Sequence, residues 1–122
     1  MRASESINIR DKFALFNEQW SPRIISEVND HQFRIVKLQG DFVWHQHEDS
    51  DETFIVIHGQ MRIDFRDGSV SLSEGDLFTV PKGVEHKPFA ENECHAMIVE
   101  RGDVINTGSA GGERTAENDT WI

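Results

Sequence analysis

The sequence predicts an all-β domain, an antiparallel sandwich or barrel, and three observations lead there. Short apolar segments rich in β-branched and aromatic residues recur at intervals of about ten residues from position 23 onward. Turn signals separate them, among them Asn29-Asp30, Asp67-Gly68 and Ser73-Glu74-Gly75-Asp76. No amphipathic helix of useful length intervenes, so each strand passes directly to the next, as in sandwiches and barrels.

The elements follow in order. Residues 1–8 are polar, and Arg10 to Trp20 spaces Phe13, Phe16 and Trp20 at helical intervals, predicting one or two turns of helix. These three aromatics would cap the open end of a barrel or dock on a partner subunit. Ser21-Pro22 ends the segment, because proline biases its predecessor away from helix. An N-terminal segment over 1–22, a barrel domain over 23–102 and a polar tail over 103–122 are the expected divisions. Within the barrel, Arg23 to Val28 and Gln32 to Leu38 read as strands joined in a hairpin at Asn29-Asp30. From Phe42 to His47 a period of two puts Val43, His45 and His47 on one face and Phe42, Trp44 and Gln46 on the other. Trp44 would then look outward and need cover from a sheet edge, the N-terminal segment or another subunit. Met61, Ile63 and Phe65 alternate with Arg62, Asp64 and Arg66, one face buried and one wet. Asp67-Gly68 predicts a two-residue hairpin with the glycine at positive φ, and Val70 and Leu72 form the return strand. Leu77 to Val80 is a further strand, after which Pro81 and Gly83 bend the chain. Past His86, Ala90 to Glu93 predicts a polar turn and Cys94 to Val99 a last strand. The tail ends in Trp121-Ile122, apolar enough to fold back onto the domain or a neighbour.

Composition bounds the function. With 122 residues there is room for one core and one site. A formal charge of -10, from 12 basic and 22 acidic residues, repels a phosphate backbone and offers an anionic membrane no polybasic segment, so nucleic acid and membrane partners are not expected. Cys94 is the only cysteine and has no intrachain disulfide partner; it reads as a small buried residue rather than a nucleophile. The start, MRASESINIRDKF, lacks the apolar core of a secretion signal, and no apolar run reaches membrane-spanning length, so a cytoplasmic protein is expected.

The chemistry concentrates in residues 40–59, GDFVWHQHEDSDETFIVIHG. His45 and His47 stand two apart, so on an extended strand both imidazoles project from one face, roughly 6–7 Å apart along the backbone. Glu52 opens the next apolar run after a short acidic loop, and a returning strand would bring its carboxylate beside the imidazoles, as a borderline divalent cation requires. Asp51 is a rival for that position. About 27 residues later GDLFTVPKGVEH offers His86 as a fourth ligand.

These two stretches resemble the cupin superfamily, whose motifs run G-x5-H-x-H-x3,4-E-x6-G and G-x5-P-x-G-x2-H-x3-N. Gly40, His45, His47, Glu52 and Gly59 match the first, and Gly75, Pro81, Gly83 and His86 the second. Only four residues separate Gly40 from His45, and Ala90 stands where the second motif ends in Asn; neither departure touches a ligand. The interval to Gly59 favours Glu52 over Asp51. The resemblance is to a small single-domain metal-binding cupin of the cupin 2 conserved-barrel type. It implies an antiparallel double-stranded β-helix, a jelly-roll barrel. It also implies a divalent metal ion (iron, manganese, nickel, cobalt or zinc) on His45, His47, Glu52 and His86.

What the family does ranges over sugar-phosphate isomerases such as mannose-6-phosphate isomerase, dioxygenases, decarboxylases, lyases and sugar-binding or storage proteins. The first expectation is a metal-dependent enzyme acting on a small polar or acidic metabolite, with Glu52 also serving as catalytic base. The alternative is a non-catalytic module that binds or senses a sugar or other small molecule. Glu85, His95 and Arg34 are the candidates for a further proton-transfer group, while His31 and His58 read as ordinary structural histidines. The chain has no tyrosine, which excludes a phenol as acid, base or crosslinked cofactor. Strands apolar on both faces, as at Phe54 to Ile57 and Leu77 to Val80, leave surface over once one core has closed, and a homodimer is the expected cover.

Overall fold

Burial with a period of two runs through Glu52–His58 and most of Lys87–Arg101, while 34–38 is buried throughout, in the structure, a computed structural model that describes residues 5–112, 115–117 and 119–122. Seven strands are present: β1 (Arg23–Val28), β2 (His31–Asp41), β3 (Glu52–His58), β4 (Gln60–Phe65), β5 (Gly68–Ser73), β6 (Leu77–Val80) and β7 (Lys87–Arg101). The sheet order is β1-β2-β7-β3-β6, all antiparallel, with β4 pairing both β7 and β5. The long β7 therefore borders β2 on one side and both β3 and β4 on the other, which curls the sheet into the jelly-roll barrel. Inward-facing Val36 and Leu38 of β2, Phe54 and Val56 of β3, Ile63 of β4, and Ala96 and Ile98 of β7 fill its interior. Each large side chain buried this way contributes roughly 1.5–3 kcal/mol. No helix among the described residues is long and apolar enough to cross a membrane.

A second apolar layer lies on the outer face of the same sheet. The short helix α1 (Ile9–Phe13) is capped by Asn8, whose Oδ1 accepts from Asp11 N at 2.9 Å. Phe13 and Phe16 pack on Ile25 and Ile35, the outward residues of β1 and β2. Ile122 joins this cluster, because Thr120 and Ile122 flank Ile24 of β1 through Ile24 N to Thr120 O (2.8 Å) and Ile122 N to Ile24 O (3.1 Å). Phe13 and Phe16 thus cover a sheet face instead of a barrel end. Trp20 parts from them: its backbone takes φ 59, a left-handed conformation that redirects the chain, and its ring stacks on Phe42 at 4.7 Å inside the barrel.

Four local expectations are adjusted. Residues 42–51 form no regular strand; His45 and His47 still turn inward together, but Phe42, expected on the opposite face, is buried among the interior residues. Trp44 is half-buried and its cover includes cations, with the Arg66 guanidinium 3.9 Å from its ring centre. Ala90 to Glu93 stays within β7, where the register against β2 shifts between Leu38 and Gly40; the extra residues are taken up as a bulge, not a turn. The β4–β5 hairpin closes one residue earlier than expected, between Phe65 and Gly68, so Arg66 and Asp67 are its central residues, while Gly68 has positive φ, 158, as expected. The Asn29-Asp30 turn stands as predicted, with Asn29 left-handed at φ 54.

Candidate metal centre

The histidines owe their convergence to one isolated pairing. His45 N donates to His86 O at 3.0 Å and His86 N to His45 O at 2.8 Å, so the two residues lie directly opposite one another, with ring centroids 4.3 Å apart. Each ring is oriented by its own backbone. Nδ1 of His45 lies 2.9 Å from Val43 O and Nδ1 of His86 lies 2.9 Å from Val84 O. A carbonyl only accepts, so each Nδ1 carries the proton and, in the neutral ring, Nε2 keeps a lone pair for a ligand bond. His47 is fixed on both sides of the chain: Gly83 N donates to its carbonyl at 2.8 Å, and Ser109 N donates to Gln46 O at 3.2 Å. Glu52, the first residue of β3, shares the inward phase of Phe54 and Val56.

The four side chains are buried, and each offers one donor atom within 4.8 Å of the others. Glu52 Oε1 faces His86 Nε2 at 3.0 Å and Oε2 faces His47 Nε2 at 3.3 Å. Donors about 2.1 Å from a common ion lie roughly 3 Å apart when adjacent and about 4.2 Å when opposite, so an ion would draw the set in by a few tenths of an ångström. His47 Nε2 is fully buried without a hydrogen-bond partner, a cost of about 1–3 kcal/mol that a metal bond removes. The donor set therefore fits a borderline divalent cation.

Electrostatics match that assignment. Burial, aided by the charge of neighbouring His86, pushes His45 down to about 4, so it is neutral and ready to ligate. Burial alone would raise the Glu52 carboxyl, yet the His47 and His86 rings that face it outweigh burial and hold Glu52 well below the usual range. Asp51 is exposed, and its Oδ1 accepts from Lys82 N at 2.8 Å, so it plays no part as a ligand.

None of the three candidates for a further proton-transfer group reaches the centre. Glu85 is exposed and pairs with Arg66 at 2.6 Å. His95 lies on the outer face, stacked on Phe13 at 4.6 Å and bonded to Glu93. Arg34 is buried, but its guanidinium binds Glu100 Oε1 (3.2 Å), Gly102 O (2.8 Å), Val104 O (2.8 Å) and Gln32 Oε1. His31 pairs with Asp30 and His58 lies 3.9 Å from Glu74, both away from the centre. The residue that sequence reasoning missed is Glu100. It is 1% exposed, interacts with Glu52, and lines a cavity shared with His45 and Glu52. Burial first, then the Glu52 charge, raises its carboxyl well above the usual range. Its signal lay in the period-two phase: Cys94, Ala96 and Ile98 face inward, and the next position in step is an acid.

Comparison with known proteins agrees with this architecture. The family profile described as cupin domain matches residues 32–100. A cupin-2 domain containing protein from Shewanella frigidimarina NCIMB 400, known from its crystal structure, is 56% identical, with a TM-score of 0.77 over 78% of this chain and 93% of that one. Protein NMB1881 from Neisseria meningitidis is 41% identical, with a TM-score of 0.73 over 80% of this chain and 99% of that one. YdbB from Bacillus subtilis (strain 168) is 41% identical over 80 residues, 65% of either chain. With a profile match across most of the barrel and a histidine-carboxylate cluster at the positions its two motifs specify, the chain belongs to the cupin family.

Proposed function

We propose that the protein is a metal-dependent enzyme acting on a small molecule, with His45, His47, Glu52 and His86 holding an iron, manganese, nickel, cobalt or zinc ion. One observation carries the reading: four buried donors converge beside an internal cavity that two of them, His45 and Glu52, help to line. When bound, the ion supplies Lewis-acid polarisation of a ligand oxygen. The chain supplies the remainder. His45 and His86 are held in the ligating tautomer by Val43 O and Val84 O. Glu52, ionised, can take a proton at a carboxylate oxygen, and Glu100 beside it is a second carboxyl able to exchange one. Trp20, Phe42, Phe54 and Ile98 give the cavity an apolar wall.

Elemental analysis of protein purified without added metal, compared with His45→Ala and with His95→Ala, tests the centre. His45→Ala should lose the metal and His95→Ala should keep it; undiminished stoichiometry in His45→Ala rejects the ligand assignment. A non-catalytic binding or sensing module is the second reading, favoured by the small cavity, about 30 Å³. Metal-loaded protein that binds small oxygen compounds without turning any over would establish it. A homodimer goes with this reading: Leu15 and Leu77 remain 64% and 60% exposed, and β6 is the outermost strand of its sheet. Sedimentation at micromolar concentration showing only a 14.0 kDa species would refute it. A cytoplasmic location is in keeping with the single unpaired cysteine.

A further inference from the structure

The cavity beside the metal centre has a lining that selects its ligand. Of the twelve residues around it, eight are apolar, and none is lysine or arginine. Among the described residues its charged or titratable groups are His45, Glu52 and Glu100, of which the first two belong to the centre. Arg34, which pairs with Glu100, is committed to it, to Gln32 and to the carbonyls of Gly102 and Val104. A phosphate or second carboxylate on the part of the ligand away from the metal would be desolvated with no cationic side chain in the lining to pair it, a cost of several kcal/mol. A hydrocarbon body meets only Trp20, Phe42, Phe54, Ile98 and their neighbours. Glu100 Oε2 is buried and meets no hydrogen-bond donor, its polar neighbour being the Glu52 carboxyl.

We infer that the site takes a small molecule with one oxygen-bearing, metal-binding head and an uncharged, apolar body, the head lying between the metal centre and Glu100 Oε2. This inference rests on the metal reading above and departs from the polar or acidic metabolite that the sequence led us to expect. Size narrows the class further. The free volume is about 30 Å³, against roughly 150 Å³ for a cavity that takes benzene. The body is therefore short, or its entry displaces the wall that Trp20 and Asn106 form.

The test keeps the head constant and varies the body. Full-length protein loaded with cobalt(II) is titrated with acetohydroxamate, butyrohydroxamate and succinomonohydroxamate, and each Kd is read from the visible absorption of the cobalt. The expected result is butyrohydroxamate at least tenfold tighter than succinomonohydroxamate. Equal affinities, or the reverse order, overturn the inference, as does cobalt that binds in the centre but responds to none of the three. Ile98→Ala, which enlarges the cavity, should tighten butyrohydroxamate severalfold more than acetohydroxamate; parallel shifts would mean that the body lies elsewhere. Failure of the protein to take up cobalt at all removes the metal reading itself, and that outcome is distinguishable because no cobalt spectrum then appears.

Discussion

Gly108→Ala offers a sharp test of how the C-terminal segment supports the centre. Gly108 has φ +54, and a Cβ built on it would lie 2.1 Å from Gln46 O, 2.9 Å from Gln46 C and 3.0 Å from His47 Nδ1. Carbon and oxygen in contact need about 3.2 Å or more, so one backbone must move by roughly 1 Å, and neither obstructing backbone atom belongs to a side chain that can rotate away. Alanine in the left-handed region costs about 1–2 kcal/mol, and losing the Ser109 N to Gln46 O bond about 1 more. The sum, about 2–3 kcal/mol, corresponds to a fall of roughly 10 °C in Tm for a chain of this length. Gly111→Ala is the control, since its φ is +64 but nothing lies within 4 Å of the added methyl, leaving only the conformational cost. Calorimetry of both variants, with metal affinity measured by chelator competition, reads the two effects. Gly108→Ala should unfold several degrees below Gly111→Ala and bind metal at least tenfold more weakly, because His47 moves with Gln46. If the two variants melt together with undiminished metal affinity, the strap over Gln46 and His47 does not exist as described.

Further expectations follow from buried groups. Arg34→Met strips the partner from Glu100 and from the carbonyls of Gly102 and Val104, and should cost about 3–5 kcal/mol in urea unfolding; a loss under about 1 kcal/mol would contradict the buried clamp. Cys94, buried and pushed up to about 12, should resist iodoacetamide at pH 8 in the folded protein and react at once in urea; rapid native labelling would refute its burial. His45 gives a pH dependence for the metal-free protein. Its value of about 4 folded against 6.5 unfolded means that the unfolded chain binds the extra proton between those limits. Stability is therefore lost as pH falls through that window, by about 3 kcal/mol in all. Glu100 acts with the opposite sign, its raised carboxyl favouring the folded state as pH falls, so wild type is best compared with His45→Gln. Wild type should lose about 3 kcal/mol relative to the variant between pH 7 and pH 4, and parallel curves would remove the buried neutral histidine from the account.

The sequence by itself determined the barrel and the donor set. Period-two alternation, turn residues and the absence of helical stretches are local properties, and local properties survive being read one segment at a time. His45, His47, Glu52 and His86 were legible for a related reason: their spacings against Gly40, Gly59, Gly75 and Gly83 carry the pairing geometry with them. Only the tertiary structure decided which side chains surround those four residues. Phe42 turned inward because residues 42–51 lack the ladder that would enforce alternation. Arg34, an apparent site residue, was claimed by carbonyls about 70 positions later in the chain. Glu100 entered the cavity because β7 runs unbroken past Ile98, and Gly108 reached His47 because the neighbouring Ser109 N is bonded to Gln46 O. Each of these depends on a contact between distant segments, and no residue's immediate neighbours encode what will be folded against it.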